Sequence, residues 1–278
     1  MRWASVAVLA ILVMAGCKEE SNGYGGRPRP KIYQKVVSLS PSMSELSSKM
    51  DLQLAGRTAA CNWPDTLKAL PVVCEVKPNY ELLASMKPDL VIVDGSLFSD
   101  AEISKVKEAS KAEVVEMNVH TVKELTDFLD SLAGKVGGEL SAHRYIDQIE
   151  TAVRTAKLDA GAQPKNAIIL MGNGVGNYMI AGRSSFTADL IRSAGANVLG
   201  PDDDKFAPAN LEQIITWNPD VIFVPGSAAA IMKDPRLASL KAVKNGAVAG
   251  ANADLLLRAG SRVDGMISRA TQFIQQGK

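Results

Sequence analysis

Side chains able to make or break bonds are scarce in this chain, and their spacing narrows what they could do. Two histidines and three cysteines among 278 residues cannot build a clustered zinc site without heavy carboxylate help, and no spacing suggests one. His120 reads as a loop residue and His143 as the solvated side of a long helix, so neither is placed as a general base. Cys61 and Cys74 flank Asn62-Trp63-Pro64-Asp65. A thiol nucleophile or a metal pair there would need a histidine or a third thiolate, and none supports it. Gly172 to Asn177 resembles a phosphate cradle after a strand, but it lacks the G-x-G-x-x-G register and leads into Tyr178-Met179-Ile180, a strand instead of a helix N-terminus. A glycine-rich hairpin at a cleft rim is the better reading. No G-x-S-x-G elbow for a serine hydrolase occurs. The 31 Lys+Arg against 30 Asp+Glu leave a net charge of +1, too little field to grip phosphates, so nucleic-acid binding is not expected.

The elements that must position these groups show an internal repeat. Asn79 to Ser96 aligns without gaps onto Asn210 to Ser227, with Asn79/Asn210, Glu81/Glu212, Pro88/Pro219, Asp89/Asp220, Val93/Val224, Gly95/Gly226 and Ser96/Ser227 identical. In each copy an Asn N-cap opens a short helix with Glu in its first turn, and Pro-Asp stops it and launches an apolar run of the kind seen in strands buried on both faces. One such Glu is explained by the helix macrodipole, worth about 0.3 to 1 kcal/mol. Two at equivalent positions could also be a matched pair on one surface.

Between the copies, Thr121 to Gly161 has helical periodicity, divided by Gly134, Gly137 and Gly138, which leaves a helix over about Glu139 to Leu158. At about 1.5 Å per residue it spans roughly 30 Å. The reading is an α/β chain of two Rossmann-like lobes, 36–138 and 161–278, joined by one long backbone helix at 139–160, with a ligand cleft between the lobes. Expected strands are Val36–Leu39, Leu52–Gly56, Leu90–Val93 and Glu113–Glu116, then Ala167–Met171, Tyr178–Ile180, Val221–Val224 and Ala247–Ala249. A terminal helix is expected over Arg262–Gln275. Ligands of such lobes sit at carboxyl ends of strands.

Not all of the 46% hydrophobic residues belong to the fold. Arg2 and the apolar run from Trp3 to Gly16 read as an export signal, too short for a membrane span. Val13 to Cys17 resembles a bacterial lipobox, with Met14 where Leu is usual, in which Cys17 carries the lipid. Residues 17–35, rich in Gly, Pro, Ser and charge, read as a tether. In an exported chain the natural state of Cys61 and Cys74 is a disulfide, worth about 3 kcal/mol.

The chain as a whole resembles the periplasmic substrate-binding proteins of ABC importers for cobalamin, ferric siderophores and haem. The residues that carry the resemblance are Val36 to Leu46, Cys61-Asn62-Trp63-Pro64, Asn79 to Ile92, Ser185-Phe186 with Asp189 to Asn197, Asn210 to Asp220, and Asp254 to Arg262. They run in order across the body. The resemblance implies that Glu81 and Glu212 dock the lobes onto arginines of a permease dimer, and that Trp63, Asp254 and Arg258 line the cleft. Ser40, Gly95, Ser96, Tyr178 and Phe206 join them by strand-end placement. It also implies a monomer without a resident cofactor or metal, lipid-anchored through Cys17 in the periplasm or cell envelope and not an enzyme. Cobalamin or another corrinoid leads as ligand. A ferric siderophore would want several cleft arginines, for which Arg57, Arg183 and Arg258 are the candidates, and haem would take its axial ligand from His120, His143 or a tyrosine. The competing class is an exported metal-chelate-modifying enzyme on the same scaffold. Because bending a packed helix breaks backbone hydrogen bonds, the lobes are expected to hinge little.

Overall fold

Short, mostly apolar runs form the first sheet: β1 (Val36–Ser38), β2 (Leu54–Thr58), β3 (Val72–Cys74), β4 (Leu90–Asp94) and β5 (Glu113–Met117). The computed structural model describes residues 31–160, 163–172 and 177–276. The expected signal, Cys17, the first part of the tether and the tip of the glycine-rich run lie outside the described residues. All five strands pair in parallel, in the order β3-β2-β1-β4-β5. Alternation along β4 serves both faces. Leu90 and Ile92 pack with α1 (Pro41–Ser47) and α4 (Val122–Val136), while Val91 and Val93 pack with α2 (Tyr80–Met86) and α3 (Asp100–Ser110). That double coverage is why the run carries no polar residue before Asp94.

The long helix, α5, spans Glu139–Asp159, and Gly137 and Gly138, both with positive φ, separate it from α4. Beyond it lie β6 (Asn166–Gly172), β7 (Tyr178–Ala181), β8 (Asn197–Val198), β9 (Phe206–Pro208), β10 (Val221–Pro225) and β11 (Val248–Ala251). The helices of this half are α6 (Phe186–Ser193), α7 (Leu211–Trp217), α8 (Ala229–Lys233), α9 (Lys241–Lys244), α10 (Ala253–Leu257) and α11 (Val263–Gln276). The second sheet has the order β11-β10-β6-β7-β9, with β8 beside β6. It is mixed: β6, β10 and β11 are parallel, but β7 runs antiparallel to β6 and β9. Gly172 and Tyr178, on either side of the undescribed residues 173–176, therefore belong to paired antiparallel strands, and a strand instead of a helix follows the glycine-rich run.

The repeat is realised residue by residue. Asn79 and Asn210 cap α2 and α7, accepting from Leu82 N at 2.9 Å and Gln213 N at 3.1 Å. Lys87 and Asn218 end those helices in the left-handed region. Asp89 then accepts from the backbone N–H of Gln34 and Lys35 at the start of β1, and Asp220 from Asn166 N at the start of β6. Each aspartate thus fastens the strand it launches to the neighbouring central strand, and these hydrogen bonds help hold both carboxyls below their ordinary range.

One apolar cluster runs without a break from Val36, Leu90 and Ile92 through Ala142, Tyr145 and Ile149 of α5 to Ile169, Val221 and Phe223. The lobes share a core beneath the spine helix, so rotating one against the other would expose it.

The chain entering β1 is held by a carboxylate. Glu113 accepts from Tyr33 Oη at 2.7 Å and Lys31 Nζ at 3.2 Å and pairs with Lys135 at the end of α4. Lys135 first, with Tyr33 and Lys31, holds the Glu113 carboxyl at about 2 against an ordinary 4.5, and burial with Glu113 pushes the Tyr33 phenol up to about 12. A depressed carboxylate adds stability that is complete above the unfolded value and fades as pH falls toward the folded one. Glu113→Gln should therefore unfold at lower temperature than the wild type at pH 7, and the two melting curves should converge between pH 4.5 and about 2. Circular dichroism melts at stepped pH check this. Parallel pH profiles would show that the cluster does not stabilise the fold.

Candidate functional site

The first sheet reverses its winding between β1 and β4, and the carboxyl ends of those strands are where a doubly wound sheet leaves a crevice. Ser40 follows β1 there, fully buried, its Oγ accepting from Met43 N at 3.1 Å to cap α1 and donating to Asp94 Oδ2 at 3.3 Å. Ser96 donates its hydroxyl to Asp94 Oδ1 at 2.6 Å. Gly95 lies so close to the end of β5 that an added Cβ would stand 1.9 Å from Asn118 Oδ1. A side chain there would have to push aside the ends of Asn118 and Glu116.

Opposite this edge the second lobe completes a cleft of about 440 Å³. Gly95, Ser96, Asn118, Val119 and His120 come from the first lobe, and Met171, Ser185, Phe186, Thr187, Asp204, Lys205, Phe206 and Leu257 from the second. Its polar wall is mostly hydroxyl and amide, with one adjacent pair of opposite charges, Asp204 and Lys205, and no arginine among the lining residues. A neighbouring hollow shares His120 and Asp204 and adds Arg183 and Arg192. Arg183 is paired to Asp202 at 3.1 Å and Arg192 to Asp189 at 2.8 Å.

Further along the seam, at the ends of β2 and β11, a polar network crosses between the lobes. Asp254 pairs with Arg258 at 2.7 Å and accepts from Asn62 Nδ2 at 2.6 Å. Arg258 also donates to Glu45 Oε1 at 3.0 Å, Asn62 Oδ1 at 2.9 Å and Ala60 O at 3.0 Å. Arg262 lies over the Trp63 ring, 5.3 Å from its centroid, and Trp63 is 45% exposed.

The structure thus brings Gly95, Ser96 and Phe206 to one cleft and Trp63, Asp254 and Arg258 to the adjoining seam. Ser40 lies behind them as a cap. Tyr178 stands apart: its ring is buried in the second lobe's own core, its hydroxyl donates to Asp234 Oδ2 at 2.5 Å, and Arg236 covers its face. The Asp234 and Arg236 interactions fix that ring away from the cleft. Glu81 and Glu212 occupy the exposed first turns of α2 and α7. The expected Cys61–Cys74 disulfide is corrected: both are free, buried thiols. Each sulfur has a local polar partner, Cys61 donating to Ser44 Oγ at 2.7 Å and Cys74 to Glu75 O at 3.8 Å. Burial pushes the Cys74 thiol up to about 11, so it is a core residue, not a nucleophile.

His143 does lie away from the cleft, bonded to Asp130 at 2.7 Å. His120, which the sequence places in a loop with no role, lines the cleft, while Met171 is marked only as the end of an expected strand, Glu45 only as part of the Val36 to Leu46 stretch, and Asn118 by nothing. Only the strand-end position of His120 and Asn118, just past β5, could have drawn attention to them. No cluster among the described residues could hold a metal ion, and no described helix is long and apolar enough to cross a membrane.

The sequence profile of one family, described as periplasmic binding protein, matches residues 36–255. The chain belongs to the periplasmic binding protein family. Its relatives include an uncharacterized ABC transporter substrate-binding lipoprotein, YvrC, of Bacillus subtilis, 23% identical over 94% of this chain and 92% of that protein. The high-affinity heme uptake system protein IsdE of Staphylococcus aureus is 21% identical over 80% of this chain and 76% of its own length. Among solved structures, the periplasmic vitamin B12 binding protein BtuF of Vibrio cholerae superposes with a TM-score of 0.77 at 20% identity, covering 88% of this chain and 98% of that one. Members of this periplasmic binding protein family are binding proteins rather than enzymes and carry no cofactor.

Proposed function

We propose that this protein is a lipid-anchored, extracytoplasmic carrier that captures a corrinoid in the interlobe cleft and delivers it to the permease of an ABC importer, docking through Glu81 and Glu212. The observation that carries the ligand class is the charge character of the cleft. A corrinoid presents a rim of uncharged carboxamides, which suits a wall that carries no arginine and only one charge pair, Asp204 and Lys205, beside the polar groups of Ser96, Asn118 and His120. A ferric siderophore bearing negative charge fits less well. Arg57 is spent on the carbonyls of Thr58, Cys61 and Lys68 and Arg258 on Glu45, while Arg183, in an exposed pair with Asp202, lines the neighbouring hollow and not the cleft.

A second reading is haem, favoured by one observation: His120 and Met171 line the same cleft from opposite lobes. An imidazole and a thioether are a known pair of axial donors for a planar iron chelate.

Absorbance titration of the full chain with cyanocobalamin, haemin and a ferric siderophore decides between them. The corrinoid reading expects saturable cyanocobalamin binding, and binding of haemin or the siderophore alone would overturn it. Trp63→Ala should then weaken capture by roughly 1 to 3 kcal/mol through the lost ring contact. An unchanged dissociation constant would remove Trp63 from the site. Chemically altered ligand recovered after incubation would favour the modifying-enzyme alternative.

A further inference from the structure

Glu45 sits on α1 of the first lobe with 1% of its surface exposed, and both of its ion pairs are with the other lobe. Arg262 donates to its two oxygens at 2.7 and 3.1 Å, and Arg258 to one of them at 3.0 Å. A carboxylate at that depth must keep its counter-ions, because leaving it unpaired costs far more than an exposed pair returns. The same arginines have second tasks on the first lobe. Arg258 grips the loop after β2 through Ala60 and Asn62, and Arg262 covers Trp63. The spine joins in as well. An added Cβ on Gly260 would stand 2.5 Å from Glu45 Oε2, and the Gly260 carbonyl accepts from Tyr145 Oη of α5 at 2.8 Å. At the β5 edge of the sheet a separate fastening exists, where Val122 N at the start of α4 donates to Asp189 Oδ2 of α6 at 2.8 Å.

We infer that Glu45 is a positioning residue: through Arg258 and Arg262 it latches the lobes together at the β1–β2 end of the cleft and holds the exposed ring of Trp63 in place before any ligand arrives. That the preset cleft receives a chelate rests on the function proposed above. The latch does not.

Hydrogen exchange and tryptophan quenching on the ligand-free full chain test it. In Glu45→Gln, residues 59–63 and 253–257 should exchange roughly tenfold faster or more, while β4 and β10 keep wild-type rates. The Trp63 emission, taken as the difference between each chain and the same chain carrying Trp63→Phe, should become more accessible to acrylamide. Arg262→Lys keeps a cation beside Glu45 but loses the planar stack, so it should raise quenching with little change in exchange at 253–257. Should Glu45→Gln fail to fold, Arg262→Gln, whose side chain is 26% exposed, gives the same local signature. The inference is overturned by unchanged exchange and quenching, or by acceleration spread evenly over the core strands, which marks a residue of general stability. Cyanocobalamin titration of the same variants should show about tenfold weaker binding, in line with 1.4 kcal/mol per decade of affinity. If the wild type itself does not bind cyanocobalamin, the chelate reading fails while exchange and quenching still decide the latch.

Discussion

Replacing Glu81 and Glu212 together by alanine is expected to abolish uptake while leaving the captured ligand bound as tightly as before. Neither carboxylate takes a hydrogen bond or ion pair from another described residue, and both are exposed. Their local task, offsetting the helix macrodipole, is worth about 0.3 to 1 kcal/mol each, and the caps Asn79 and Asn210 remain in either variant. The fold should therefore survive. Each helix runs back toward the amino end of the strand that follows it, β4 or β10, so its first turn lies at the carboxyl edge of its sheet, the edge that carries the cleft. A permease engaging both glutamates would stand over the cleft opening. Truncating one partner of a desolvated charge pair costs about 2 to 5 kcal/mol at an interface, so the double change should remove productive docking, with each single change intermediate. Uptake into proteoliposomes carrying the cognate permease, alongside binding by the purified chain, separates the two effects. Loss of affinity with an intact fold would assign the pair to the cleft instead.

The repeat was legible because its signals are local. An Asn cap, a Pro-Asp stop and an apolar run each act within a few residues, and both copies obey them. The spine helix was legible for the same reason, its ends set by Gly138 and the loss of apolar periodicity past Leu158. The strands β3, β8 and β9 were not, since two or three residues carry no periodicity and such segments are fixed only by the neighbour they pair with. Tyr178 shows a subtler failure. Strand-end reasoning put its backbone at the correct edge, but β7 alternates, and the phase that turns Tyr178 toward Asp234 was set by a hairpin pairing Gly172 with Tyr178. The latch was illegible for another reason: Glu45 and Arg262 are separated by most of the folded chain, and a charged residue on a short helix looks like any solvated one. The disulfide expected between Cys61 and Cys74 is not formed, and the Ser44 hydroxyl that takes the Cys61 thiol lies on a different element that no spacing rule includes.

Tyr145→Phe should cost the fold about 2 to 4 kcal/mol, a large effect for one oxygen atom. The Tyr145 hydroxyl is the polar staple of the spine: it donates to Gly260 O at 2.8 Å and accepts from Val263 N at 3.0 Å, in a side chain 1% exposed. Burial pushes the phenol up, so it stays protonated and remains a donor at every pH where the protein is folded. Phenylalanine keeps the ring, its packing and the Lys49 ammonium 4.6 Å from the ring centre, and it creates little cavity. What it removes is the partner of a carbonyl and an N–H at the entry to α11, each costing about 1 to 3 kcal/mol when buried unmade. Urea unfolding should show a lower midpoint with an unchanged slope, and exchange of the Val263 amide should quicken more than that of Ile169 in β6. A change below about 0.5 kcal/mol would mean that water replaces the hydroxyl, in the range of an ordinary surface substitution. Since Gly260 also abuts Glu45, the loss should propagate to the loop at Ala60 to Trp63 before it reaches either sheet, tying the rigidity of the spine to the aperture of the cleft.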